Sequence, residues 1–295
     1  MEAFLNDLAR LFTTIFAITT MLSMGLNLSH GQVFTPLKEI RLVAAALLGS
    51  LVLLPATALA LAELLSLDED IRIGLLLVAT AAGAPLSAKL AQIAKASVPI
   101  AVSLVALLVV ATIVYMPIAL PLMLGDVQVD ALDIAWSLIW QMLLPLAIGL
   151  VVYAFWNQAA DWAQPKVALL ANVSLVIMLV LVLGLNMRDV FGLFGTGGVL
   201  ALIVLYAVGL AGGYALGALS GTRRLVSLAT GQRNLAAAFV VAQSAYADRH
   251  QVLAMLGAAG MLGFIIVIPA ALAFGRMQAR EPIEEPAPQR HPRAA

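Results

Sequence analysis

The fold class this sequence predicts is an all-α integral membrane protein of about nine transmembrane helices, two of them discontinuous. Three observations predict it. Of 295 residues, 63% are hydrophobic and only 11% are charged, with a mean hydropathy of +1.03, whereas a soluble domain carries roughly a quarter charged residues. Apolar runs of the length that crosses a hydrocarbon core of about 30 Å recur along the chain. Two of those runs hold a basic residue beside a helix-weakening glycine or proline. A net charge of zero with no basic block argues against a nucleic-acid partner. With no cysteine, a disulfide framework, a thiolate metal site and a cysteine nucleophile are all excluded.

The expected spans, in order, are 8–28, 42–64, 71–94, 97–124, 134–154, 166–187, 193–219, 224–246 and 251–275. The first lacks a basic lead and a small-residue cleavage site, so it reads as a true span rather than a removed signal. The second ends at Glu63, and the third follows "DED" at 68–70. The fifth follows a loop holding Asp126, Asp130 and Asp133, and the sixth opens at Lys166. Arg223 and Arg224 introduce the eighth, and Arg276 closes the ninth. Residues 1–279 are thus expected to be the membrane domain, followed by a disordered cytoplasmic tail, 280–295, rich in proline and charge.

Sorting the basic residues between alternate loops tests the count, because Lys and Arg stay on the cytoplasmic side. One side collects Lys38, Arg41, Lys95, Lys166, Arg223, Arg224, Arg276, Arg280, Arg290 and Arg293; the other has Arg10, Arg72, Arg188 and Arg249. The expected topology puts the N-terminus outside and the C-terminus inside a plasma (inner) membrane.

Lys89, in "AAGAPLSAKLAQ", and Arg233, in "LATGQRNLAAAF", fit in no loop. Gly83 and Pro85 precede the first, and Gly231 precedes the second. Such interruptions weaken a helix, and a helix broken at mid-membrane exposes backbone groups to a site rather than to lipid. A pair of broken spans in corresponding positions of two halves points to a transporter site built from inverted repeats. Spans five to nine then form one five-helix unit and spans one to four a second lacking its first helix. Apart from Glu63 at the end of span two, no Asp or Glu lies within any span, so carbonyls, helix C-terminal ends, water or an anionic substrate must offset the two cations. Lys89 could otherwise snorkel to an interface, and Arg233 could clamp carbonyls for structure alone.

The segments "MLSMGLNLS" (21–29), "LLPATALALAE" (53–63), "AAGAPLSAKLAQIAKASVPIAVSL" (81–104), "MLLPLAIGL" (142–150) and "ATGQRNLAAAFVVA" (229–242) resemble, in order and spacing, the bile acid:sodium symporter family. That resemblance implies a core domain with two crossed broken helices, here spans 42–64, 71–94, 97–124, 193–219, 224–246 and 251–275. It also implies a panel domain, here spans 8–28, 134–154 and 166–187, against which the core moves in alternating access. The nine-span form is similar to that of the family's animal members.

The departures from the family pattern bear on the driving ion. Where the family has Ser-Asn in its first broken helix, this chain keeps Ser87 but has Ala88, then Lys89. In the second motif Ala229 replaces a glutamate and Arg233 a glutamine, while Thr230, Gly231 and Asn234 are kept with Gln232 between them; a further family glutamine aligns with Ser50. The sequence has therefore lost the one carboxylate of the sodium sites and gained two cations. The expectation is a secondary transporter of a small organic anion, independent of sodium, with Lys89 and Arg233 standing in for the ions and no metal or other cofactor. Two alternatives stay open. One is a sodium-coupled symporter using Ser87, Thr230, Asn234 and carbonyls; the other is a proton-coupled carrier, for which Lys89 is the candidate because a desolvated lysine can release its proton and an arginine does not. Bile acids, sulfo-conjugated steroids, pantoate and keto-acids are the family's precedents for cargo.

On the panel face, Asn27, Asn172, Ser174 and Asn186 are the polar groups expected to line a cleft against the broken helices. A channel fits broken inverted repeats less well. An intramembrane enzyme is disfavoured because His30, His250 and His291 all fall in loops or the tail, leaving no nucleophile with a base.

Overall fold

In the computed structural model, residues 2–28, 39–125 and 130–278 are described. His30, Lys38, Asp126 and the tail from Arg280, with Arg290, His291 and Arg293, lie outside them. Among the described residues every regular element is helical. Eight helical segments are long and apolar enough to cross a bilayer, one of them, 223–245, interrupted at 232–234. The remaining expected crossing, 71–94, consists of two helices of 12 and 8 residues, each too short to span alone.

In chain order the elements are α1 (Glu2–Gly25), α2 (Ile40–Leu64), α3 (Glu69–Thr80), α4 (Leu86–Ile93), α5 (Val98–Leu124), α6 (Ala131–Phe155), α7 (Asn157–Leu185), α8 (Met187–Gly192), α9 (Gly198–Leu216), α10 (Arg223–Gly231), α11 (Leu235–Ala245) and α12 (His250–Gln278). Three starts differ from the sequence expectation by five residues or more, the first being α1, which begins at Glu2 rather than at 8. α7 begins nine residues before the predicted start at 166, through a turn too polar to register as apolar; there Lys166 Nζ sits 3.0 Å from the Trp162 ring centre. The predicted span 193–219 starts later, at Gly198, because Gly197 (φ +81°) turns the chain and the residues before it form the separate α8.

α2 and α6 each contain a π-helical turn, at Leu48–Leu53 and Ile139–Leu143, two residues ahead of Pro55 and Pro145. Proline offers no N–H to the preceding turn and its ring crowds it, which favours the wider winding. In α2, the carbonyl five residues before Pro55 belongs to Ser50.

α1 packs against α7 and α6, while α3 packs on α2, α5, α11 and α12. The crossing of α1 and α6 rests on Gly25 and Gly149: a Cβ on either would strike the other helix's backbone, so only glycine admits this approach. The pair α10 and α11 is the most enclosed of the eight candidate spans, its apolar stretch lying wholly inside the protein.

Candidate functional site

The two expected breaks meet. Residues 81–84 between α3 and α4 and 232–234 between α10 and α11 are not helical, and they bond to each other: the Asn234 backbone N–H donates to the Ala81 carbonyl at 2.9 Å, and Asn234 Nδ2 to the Gly83 carbonyl at 3.1 Å. Asn234 also caps α11, its Oδ1 accepting from the Ala237 N–H at 3.2 Å. From α5, Thr112 Oγ1 braces the first break, accepting from the Ala82 N–H (3.0 Å) and donating to the Ala82 carbonyl (3.2 Å). Gly83 takes φ +75°, and a Cβ there would lie 2.5 Å from the Val109 nitrogen. The turn and the close approach both require glycine. Pro85 then leads into α4, and Gly231 ends α10 against Leu210.

Arg233 fills the space the two breaks enclose. It is 1% exposed. Its Nε donates to the Val78 carbonyl (3.0 Å), Nη2 to those of Ala79 (2.6 Å) and Ser50 (3.5 Å), and Nη1 to that of Thr230 (3.2 Å). Val78 and Ala79 lie in the last turn of α3, Thr230 in the last turn of α10, and Ser50 in the π turn of α2. Helix C-terminal carbonyls have no intrahelical donor and carry the negative end of the helix dipole. The guanidinium therefore satisfies, with one charge, orphan acceptors from three elements.

Lys89 does not mirror it. The structure brings its ammonium to no carbonyl: among the described residues Lys89 makes no hydrogen bond or ion pair, and it is exposed in the first turn of α4. It lines a cavity of about 380 Å³ between the breaks and the helices α1 and α7. Ala88, Gln232, Arg233 and Asn234 also line it, as do Asn27 and Asn172 from the opposite wall. Ser50, Ser87 and Thr230 are buried away from it, and the hydroxyl of each has no hydrogen-bond partner among the described residues. Ala229 is buried against α2 and α5.

Two of the panel-face residues are placed elsewhere. Ser174 is fully buried. Asn186 lies at the far end of α7, its Nδ2 donating to the Val182 carbonyl (2.8 Å) and its Oδ1 lying 3.2 Å from His250 Nδ1. Sequence reasoning missed Thr20, Ser23 and Gln164, which also line the cavity; Gln164 Nε2 reaches Ser23 Oγ at 3.4 Å. Helical periodicity was the available signal: counting back from Asn27 gives Ser23, Thr20 and Phe16, and from Asn172 gives Ala168 and Gln164.

Two discontinuous helices that meet at their breaks beside a cavity, within a bundle of apolar helices long enough to cross a bilayer, define a multi-pass membrane protein. The chain belongs to the sodium bile acid symporter family, a transporter family, whose pattern it matches over residues 14–192. It is 25% identical over 221 residues to the Arabidopsis thaliana protein named "Probable sodium/metabolite cotransporter BASS3, chloroplastic", covering 72% of this chain and 51% of that one. Against "Probable sodium/metabolite cotransporter BASS1, chloroplastic" of the same plant it is 25% identical over 235 residues, 78% of this chain and 58% of the relative. The chain thus spans little more than half the length of these relatives. The family match ends before α10, so the second break and Arg233 lie outside it.

Proposed function

We propose that this chain is a secondary transporter of a small organic anion, working by alternating access, in which the Arg233 guanidinium occupies the role a bound sodium ion has in relatives. α1, α6 and α7 form the panel; α2–α5 and α9–α12 form the moving core. The charge sorting makes the face carrying Lys95, Arg223 and Arg276 cytoplasmic, in a plasma (inner) membrane. The observation that carries the reading is the set of four carbonyls gathered on Arg233. A cation held there by the chain leaves a diffusible one nothing to neutralise.

Binding of an ion to the folded state alone raises its stability. Purified protein in sodium, potassium or choline chloride of equal concentration is therefore expected to melt at the same temperature, within about 1 °C. A saturable rise in Tm specific to sodium would overturn the proposal. It would instead favour a sodium-coupled symporter, a second reading that the unpartnered hydroxyls of Ser50, Ser87 and Thr230 and the relatives' printed names support.

A further inference from the structure

We infer that the cavity receives one anionic group, carried on an otherwise apolar molecule, and that Lys89 is the residue that takes it; this rests on reading the cavity as the cargo site. The charge count is the first ground. Of the described residues lining the cavity only Lys89 and Arg233 are charged, and neither Asp nor Glu is among them. Arg233 is committed to four carbonyls and is 1% exposed, so its charge is already offset by the helix ends it joins. One cation remains for a ligand.

The position of Lys89 is the second ground. It stands in the first turn of α4, at the positive end of that helix's dipole, although the Ser87 and Ala88 N–H groups already bond the Ala84 and Pro85 carbonyls. A cation is disfavoured there on its own, and the combination suits an anion. The polar groups around the rest of the wall, among them Asn27, Gln164, Asn172 and Gln232, are neutral. They can orient a ligand but cannot repay the dehydration of a second carboxylate. Phe16, Met24, Leu175, Val176 and Phe264 complete a mainly apolar surface, and a volume of about 380 Å³ falls in the range that encloses a small drug-sized molecule. A dianion would meet one lysine and an apolar wall, while a monoanion with a hydrocarbon body would satisfy both.

The test measures binding of three probes of similar shape to protein in neutral-lipid nanodiscs, which avoid competition from detergent. The probes are 4-phenylbutyrate, its neutral counterpart 4-phenylbutanol, and the dianion 4-(4-carboxyphenyl)butyrate. The wild-type chain is expected to bind the monoanion about tenfold more tightly than either other probe, a factor between those of an exposed and a buried ion pair. Lys89→Gln should abolish that preference while melting at the wild-type temperature, which shows the variant is folded because the side chain is exposed and makes no hydrogen bond among the described residues; Lys89→Arg should keep it. If Lys89→Gln retains the monoanion preference, the assignment to Lys89 is wrong although the cavity still takes an organic anion. If the dianion binds as tightly as the monoanion, the single-charge conclusion falls. Preference of the wild type for the alcohol, or binding of none of the three, overturns this inference and the anionic cargo together.

Discussion

Arg233 shows what a lone charge deep in a membrane protein must find. With no carboxylate in reach, the guanidinium uses its planar fork to bond carbonyls of α2, α3 and α10 at once. The sequence revealed that an unpaired cation sat beside each break, and that carbonyls or helix ends were among the groups able to offset it. It did not reveal that only one of the two would be so engaged, because the difference between Lys89 and Arg233 depends on which end of a half-helix each one meets. Arg233→Gln keeps a hydrogen-bonding side chain but removes the charge, and is expected to cost about 2–5 kcal/mol of stability in detergent, since truncating one partner of a buried charged contact strands the others. Chemical denaturation of the purified variant measures this. Adding Ala229→Glu to that variant should create a sodium-dependent Tm absent from the wild type, because a carboxylate then stands one residue before Thr230 with no fixed cation to oppose it. An Arg233→Gln protein as stable as the wild type would show the carbonyl contacts to be incidental.

At the scale of elements, the spans and both interruptions were legible because a transmembrane helix must be apolar for about 20 residues and glycine or proline marks where it fails. What was not legible was the close pairing of helices. α1 and α7 both end on Gly-Leu-Asn, at 25–27 and 184–186, yet the two glycines have opposite surroundings. Gly25 lies against Gly149 of α6, whereas Gly184 has nothing within 4 Å of where a Cβ would be. The pattern alone cannot tell a packed glycine from an open one. Gly184→Ala is therefore expected to be neutral or to stabilise by up to about 1 kcal/mol, since glycine costs a helix that much relative to alanine. Gly25→Ala should lower Tm clearly, because the methyl would have to displace the α6 backbone. Equal Tm changes for the two would mean that the α1–α6 crossing can yield.

For the molecule as a whole, the cavity is one-sided. Its lining residues lie in the second half of α1, the first turn of α4, the first three turns of α5 and the middle of α7 from Gln164 to Val176, with Leu235 and Ala236 of α11 and Phe264 of α12 closing it, nearer the face that holds Lys95, Arg223 and Arg276. Across the other face, elements are tied together: Arg10 lies 3.8 Å from Asp248, His250 lies 3.2 Å from Asn186, and Arg249 bonds Glu69 (2.6 Å) and Asp70 (2.7 Å). Those two carboxylates hold the Arg249 guanidinium above its ordinary pKa, so this link persists at any physiological pH. In this naturally cysteine-free chain, Asn172→Cys is expected to react with a membrane-impermeant thiol reagent applied from the Lys95 side and to resist it from the opposite side, while Ser174→Cys stays inert from both. Labelling of Asn172→Cys from the Arg249 side alone would place the opening on the wrong face.

A guanidinium fixed covalently to the chain by its own side chain has one further consequence, which is thermodynamic. A diffusible ion carries a chemical potential that differs across a membrane, and a carrier that must load it can spend that difference on concentrating cargo. The charge at Arg233 has no concentration on either side. On the proposed alternating-access cycle it would travel out and back with the protein and contribute no work over a full turn, so unless another ion were carried along the cargo would only run down its own electrochemical gradient, in whichever direction that gradient points.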